Sequence, residues 1–149
     1  MPRRLREVVG SSSRLPSTDD HRITWFEQPG GTQVEWAGVT VECVEMEHTP
    51  GITALGFRIK SNDRIIAYSG DTRMCEALHT LARDADILII ECGGQRSSFH
   101  MEWDDIFSLR GTLPASTKML VTHYDHQTAP NVSDIDGLIL AEDFAGYRA

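Results

Sequence analysis

The chain of 149 residues sets 14 lysines and arginines against 22 aspartates and glutamates, a net charge of −8 with the histidines neutral, which argues against a protein that coats nucleic-acid phosphates over a broad surface. With 40% hydrophobic and 24% charged residues it has the composition of one soluble globular domain, long enough to fold around a core without a disulfide or a metal. Cys43, Cys75 and Cys92 are odd in number and form no C-x-x-C pair, which speaks against a disulfide framework or a zinc ribbon and fits a reducing, cytoplasmic setting.

Residues 1–20 read as a basic and polar lead, with Arg3, Arg4, Arg6 and Arg14 around Ser11-Ser12-Ser13 and Pro16, and one domain follows over 21–149. Strands are expected at 23–27, 33–36 and 39–45, separated by Pro29-Gly30-Gly31 and Gly38. The segments 55–59 and 64–68 form a hairpin through Ser61-Asn62-Asp63. A helix over 74–83, capped by Thr72, buries Leu78 with Leu81, or Ala82 with Ala85. It feeds the strand 87–91, apolar on both sides, as a strand covered by helices on one face and by another sheet on the other would be. The aliphatic run within it, 87–90, is far short of the roughly 20 residues of a membrane helix. A helix over 102–110, a strand over 119–122 and a last short strand within 137–141 complete a mixed α/β class with a long antiparallel portion.

Four polar residues stand where a strand has just ended: His48, Asp71, Glu91 and His123. Strand ends in layered α/β folds gather at one edge of the sheet, where such folds place their sites. Two histidines and an aspartate are ligand types for zinc, with manganese or iron as alternatives, and a carboxylate can bridge two metal ions. Gly70 would let the chain turn sharply before Asp71. Taken singly, each has a plainer reading: a histidine after a strand is a hydrogen-bonded loop residue, and Gly70-Asp71-Thr72 is a turn with a helix cap. His79 is a surface or packing residue of its helix, and Cys92 is a buried thiol or, alternatively, a soft metal ligand.

The ordered set His48-Thr49-Pro50-Gly51, Tyr68-Ser69-Gly70-Asp71-Thr72, the strand ending at Glu91, and Leu120-Val121-Thr122-His123 resembles the C-terminal half of the metallo-β-lactamase fold, within it the ribonuclease Z and phosphodiesterase branch. The resemblance covers roughly 21–149. It implies an α/β fold, half of a four-layer αβ/βα sandwich with a mixed sheet and flanking helices. It also implies a metal-dependent hydrolase acting on a small-molecule or nucleic-acid phosphodiester. In the complete site two zinc ions are expected, with His48 on the first, His123 on the second and Asp71 bridging, while Glu91 and His100 take the catalytic roles and His100 assists the leaving oxygen. The family's His-x-His-x-Asp-His motif is missing, since no H-x-H occurs in the sequence. The site would then be completed by an N-terminal half, within a longer protein or on a second chain, or the chain would pair as a homodimer through an apolar sheet face. The alternative is a catalytically inactive half-domain that serves as an assembly or interaction module.

Overall fold

The structure is a computed structural model that describes residues 28–93 and 98–148; the strand expected at 23–27 and the whole of the lead, 1–20, lie outside these. Seven strands form one sheet in chain order, β1 (Gln33–Trp36), β2 (Val39–Met46), β3 (Ala54–Ser61), β4 (Arg64–Tyr68), β5 (Ile87–Glu91), β6 (Lys118–Thr122) and β7 (Leu138–Leu140). The first four are an antiparallel meander, and β4 to β7 run parallel. The change of pattern follows from the connections. Two-residue turns join β1 to β2 and β3 to β4, with Asn62 in the left-handed region (φ 52°) where Ser61 pairs with Arg64, and the loop 47–53 joins β2 to β3. A helix lies between β4 and β5 and another between β5 and β6, as parallel crossovers require.

Helix α1 (Glu76–Ala82) is shorter than the expected 74–83 and is not capped by Thr72. Cys75 is its extended N-cap residue, without a side-chain cap. At the other end Asp84 turns into the left-handed region, and Arg58 donates to the carbonyl oxygens of Leu81 (2.8 Å) and Arg83, a cation on the carbonyls at a helix C-terminus. Helix α2 (Trp103–Thr112) opens on a capping box, in which the Glu102 N–H donates to Asp105 Oδ2 at 3.0 Å.

Leu78, Leu81 and Ala82 of α1 and Ile106 and Leu109 of α2 join Ala67, Leu88, Ile90, Met119 and Val121 of β4, β5 and β6 in one buried cluster. Their sequence neighbours Ile66, Ile89 and Leu120 point to the other face, by the two-residue period of a strand. No helix among the described residues covers that second face. Because β2 and β4 are both antiparallel to β3, they run alike, and the C-terminal ends of β2, β4, β5, β6 and β7 all reach one edge of the sheet.

Candidate metal centre at the carboxyl edge of the sheet

His48, Asp71, Glu91 and His123 all stand at this edge, as their positions after β2, β4, β5 and β6 demand. His100, from the segment before α2, joins them. The His100 ring centroid lies 4.8 Å from that of His48 and 5.6 Å from that of His123, so it stands between the other two. All five sequence candidates are therefore brought together. His79 is exposed on α1 and Cys92 is fully buried, as expected.

Each histidine has its Nδ1 engaged. His48 Nδ1 is 2.9 Å from the carbonyl oxygen of Phe99, His100 Nδ1 is 2.9 Å from Glu91 Oε1, and His123 Nδ1 is 3.2 Å from Asp71 Oδ1. An Nδ1–H donated to a carbonyl or carboxylate fixes the tautomer and leaves Nε2 as the lone-pair nitrogen.

Glu91 is the buried member, 2% exposed. Its Oε1 accepts from His100 and from the Thr72 N–H at 3.1 Å, and its Oε2 is buried with no hydrogen-bond partner. Burial pushes this carboxyl above the usual range; the Thr72 N–H and the His100 ring pull it back, and the neighbouring Asp71 charge raises it again.

The backbone is shaped for these contacts. Gly70 sits at φ 60°, and a Cβ there would lie 2.8 Å from the carbonyl oxygen of Leu55, so the turn that presents Asp71 excludes a side chain on two counts. His123 itself takes φ 57°, a left-handed conformation that costs a non-glycine residue of order 1 kcal/mol and turns the chain sharply off the end of β6. A Cβ on Gly93 would be 2.8 Å from Cβ of His100, so only glycine allows this close approach.

Thr72, read from sequence as a cap, is a fully buried junction. Its Oγ1 is 3.0 Å from the Glu47 carbonyl, which also accepts the Arg73 N–H at 2.9 Å, and the Arg73 guanidinium pairs with the Glu47 carboxylate through Nε at 2.9 Å. These bonds tie the loop bearing His48 to the loop bearing Asp71, while the Thr72 N–H ties both to Glu91. Sequence offered Thr72 only as a cap and gave no sign of Gly93, because their roles depend on contacts 19 and 7 residues away.

The donors suit a divalent metal ion. Among the described residues, one ligand atom from each of His48, Asp71 and His100 lies within 4.8 Å of the others, and the same holds for Glu91, His100 and His123. Imidazole nitrogens and carboxylate oxygens are ligand types of zinc, manganese and iron. Outer bonds to a carbonyl and a buried carboxylate are the usual support of ligating histidines. His48, Asp71 and His123 do not form such a group of three.

A family model described as a beta-lactamase superfamily domain matches residues 1–126. The chain belongs to the beta-lactamase superfamily. A ribonuclease Z of Methanosarcina acetivorans is 31% identical over 129 residues, covering 76% of this chain and 38% of that protein. A ribonuclease Z of Mycobacterium tuberculosis is 35% identical over 67 residues, 45% of this chain and 24% of that protein. Human tRNase Z, short form, superposes with a TM-score of 0.55 at 18% identity over 75% of this chain and 42% of that one, which shows the metallo-β-lactamase fold. The chain spans 24–38% of the length of the curated relatives it matches. The superfamily is one of metal-dependent hydrolases, and no helix among the described residues is long and apolar enough to cross a membrane.

Proposed function

We infer that this superfamily member works in phosphodiester hydrolysis of the ribonuclease Z kind, with an RNA end or a small phosphodiester as substrate. The observation that carries the reading is the convergence of His48, Asp71, Glu91, His100 and His123 at one sheet edge, each histidine oriented through Nδ1. His48 and His123 would each hold a divalent ion, zinc by preference, with Asp71 between them. Bound there, such ions supply Lewis-acid polarisation of a phosphoryl oxygen and a water of lowered pKa.

The remaining work falls to Glu91 and His100. His100, held through Nδ1 by the buried carboxylate, presents Nε2 to the leaving oxygen and gives it a proton as general acid. Glu91 keeps the imidazole in one orientation and stabilises its protonated form. The net charge of −8 disfavours a large RNA surface on this chain, so an extended RNA would be gripped elsewhere. The supply of thiols without a disulfide pattern supports a cytoplasmic setting.

The test is hydrolysis of bis(p-nitrophenyl) phosphate and of a short RNA carrying a 3′ extension, with metal content measured in parallel. Activity that disappears on chelation, returns with zinc and falls about 10²–10⁴-fold in His100→Ala supports the reading; metal-independent activity overturns it. A second reading is favoured by one observation, the absence of any H-x-H. In it the chain is a catalytically inactive module that pairs, as a homodimer or with a segment carrying that motif, through the sheet face that no described helix covers. Sedimentation analysis showing a dimer without metal or activity would favour it.

A further inference from the structure

We propose that the mouth of this site is fitted to a small phosphodiester carrying an aromatic or alkyl ester group, which packs on Phe99 and Ile52, and not to a polyanionic strand. The proposal rests on the phosphodiester reading above and narrows its substrate.

The first observation is where apolar surface lies. The large hydrophobic side chains left exposed among the described residues are Trp36, Ile52, Tyr68, Phe99 and Phe144. Trp36 ends β1 at the edge away from the histidines, whereas the other four close or follow β4, β2, β5 and β7 at the edge that carries them. Tyr68 is already stacked on Phe57, with ring centroids 6.5 Å apart and nearly parallel. Ile52 and Phe99 belong to the segments that bear His48 and His100. Both are presented by ordered backbone. The Ile52 N–H donates to the Thr49 carbonyl at 3.1 Å across Pro50 and Gly51, the latter at φ 82°, which is the composition and the angle of a type II turn. That turn holds an isoleucine 64% exposed. The Phe99 carbonyl accepts from His48 Nδ1 at 2.9 Å, and the Phe99 ring stands edge-on to the imidazole at a centroid distance of 6.4 Å. The main chain of Phe99 thus serves His48, and its side chain is available for a different task.

The second observation is where positive charge lies. Among the described residues, Lys60, Arg64, Arg83 and Lys118 stand where β3 ends or where β4, β5 and β6 begin, at the opposite edge, and Arg148 lies beside Lys118. Arg58 and Arg110 donate to main-chain carbonyls. Arg73, at the edge of the site, is paired with Glu47. Gripping a run of phosphates takes a row of lysines and arginines, and the described residues supply none at this mouth. One phosphodiester carries one negative charge, which a divalent ion offsets, so selectivity falls to its uncharged ester groups. A ring that covers about 55 Å² of apolar surface, at 25 cal/mol per Å², gains tenfold in affinity.

The experiment uses the full chain supplied with Zn²⁺ and two probes of equal charge, diphenyl phosphate and dimethyl phosphate, titrated calorimetrically. Diphenyl phosphate should bind about tenfold tighter. Phe99→Ala, which keeps the carbonyl under His48, should remove most of that ratio; Ile52→Ala should remove part of it, and Trp36→Ala at the far edge none. Hydrolysis is read in parallel with bis(p-nitrophenyl) phosphate and methyl p-nitrophenyl phosphate, which share a leaving group. In Phe99→Ala the preference for the first should fall by about tenfold in kcat/KM, through KM with kcat held. Equal binding of the two probes, or a ratio unmoved in both Phe99→Ala and Ile52→Ala, overturns the proposal and leaves the hydrolase reading standing. Selective binding without hydrolysis of either substrate upholds the apolar mouth and overturns the hydrolase reading. An RNA of about 12 nucleotides is the last arm: a fall of log affinity with log salt steeper than about −2 means that roughly three phosphates are gripped, and it overturns the proposal in favour of a strand.

Discussion

The two edges of the sheet are made from the same strands and treat polar groups in opposite ways. At the edge where β4, β5 and β6 begin, polar side chains bind main-chain groups. Asp86 accepts the Ile65 N–H at 2.8 Å and pairs with Arg64 at 2.7 Å, Thr117 donates to the Ala85 carbonyl at 2.8 Å, and Arg110 donates to the carbonyls of Asp136 and Pro114. At the edge where those strands end, His48, Asp71, Glu91, His100 and His123 face one another, with His100 on Glu91 and His123 on Asp71. Polar groups spent on the backbone hold the fold together. Polar groups turned toward each other are held for a ligand, at some cost to stability.

The contrast can be broken from either side. The largest effect is expected at the ligand edge: Asp71→Asn should reduce phosphodiester hydrolysis to background and lower bound metal per chain, while far-ultraviolet circular dichroism stays unchanged. Retained activity would mean that the acidic group at this position carries no part of the chemistry. Next comes Gly93→Ala, whose methyl must displace His100. A misplacement of about 1 Å should cost roughly 10²-fold in kcat, read by initial rates at saturating substrate.

The opposite edge should answer in stability alone. Thr117→Val leaves the Ala85 carbonyl without its hydroxyl donor and should cost about 1–3 kcal/mol in urea unfolding, with the rate per folded molecule unaltered. The smallest effect concerns pH. The Ile65 N–H and then the Arg64 guanidinium hold Asp86 below the ordinary carboxylate range, so its contribution is present above the unfolded value of 3.8 and is lost as pH falls through the lowered folded value. In Asp86→Asn that part of the acid limb should vanish, giving a shallower decline of melting temperature below about pH 4.

The sequence announced most of the fold because each strand keeps its own period. Val39 to Glu45 alternates, Ile87 to Ile90 is apolar throughout, and Asn62 takes the left-handed conformation that the turn between β3 and β4 needs. The edge assignment followed from strand direction, so His48, Asp71, Glu91 and His123 could be gathered before any coordinate was known. What was hidden depends on separations that local patterns do not encode. Thr72 looks like a cap because caps and junctions use the same hydroxyl, and only the packing of Glu47 and Glu91 around it decides between them. His100 looked peripheral to the metal set because its centrality comes from a contact nine residues back, to Glu91. Gly93 could be any loop glycine until the ring beside it is seen.

The direction of the meander also has a practical use. The turns at Ala37-Gly38 and Asn62-Asp63 both lie at the edge away from the histidines and are exposed, whereas Cys43, Cys75 and Cys92 are all buried. A thiol introduced by Asp63→Cys is thus the one a mild alkylating dye reaches among the described residues. A fluorophore attached there would report tumbling or partner capture by the whole domain from the far side, leaving the imidazoles untouched.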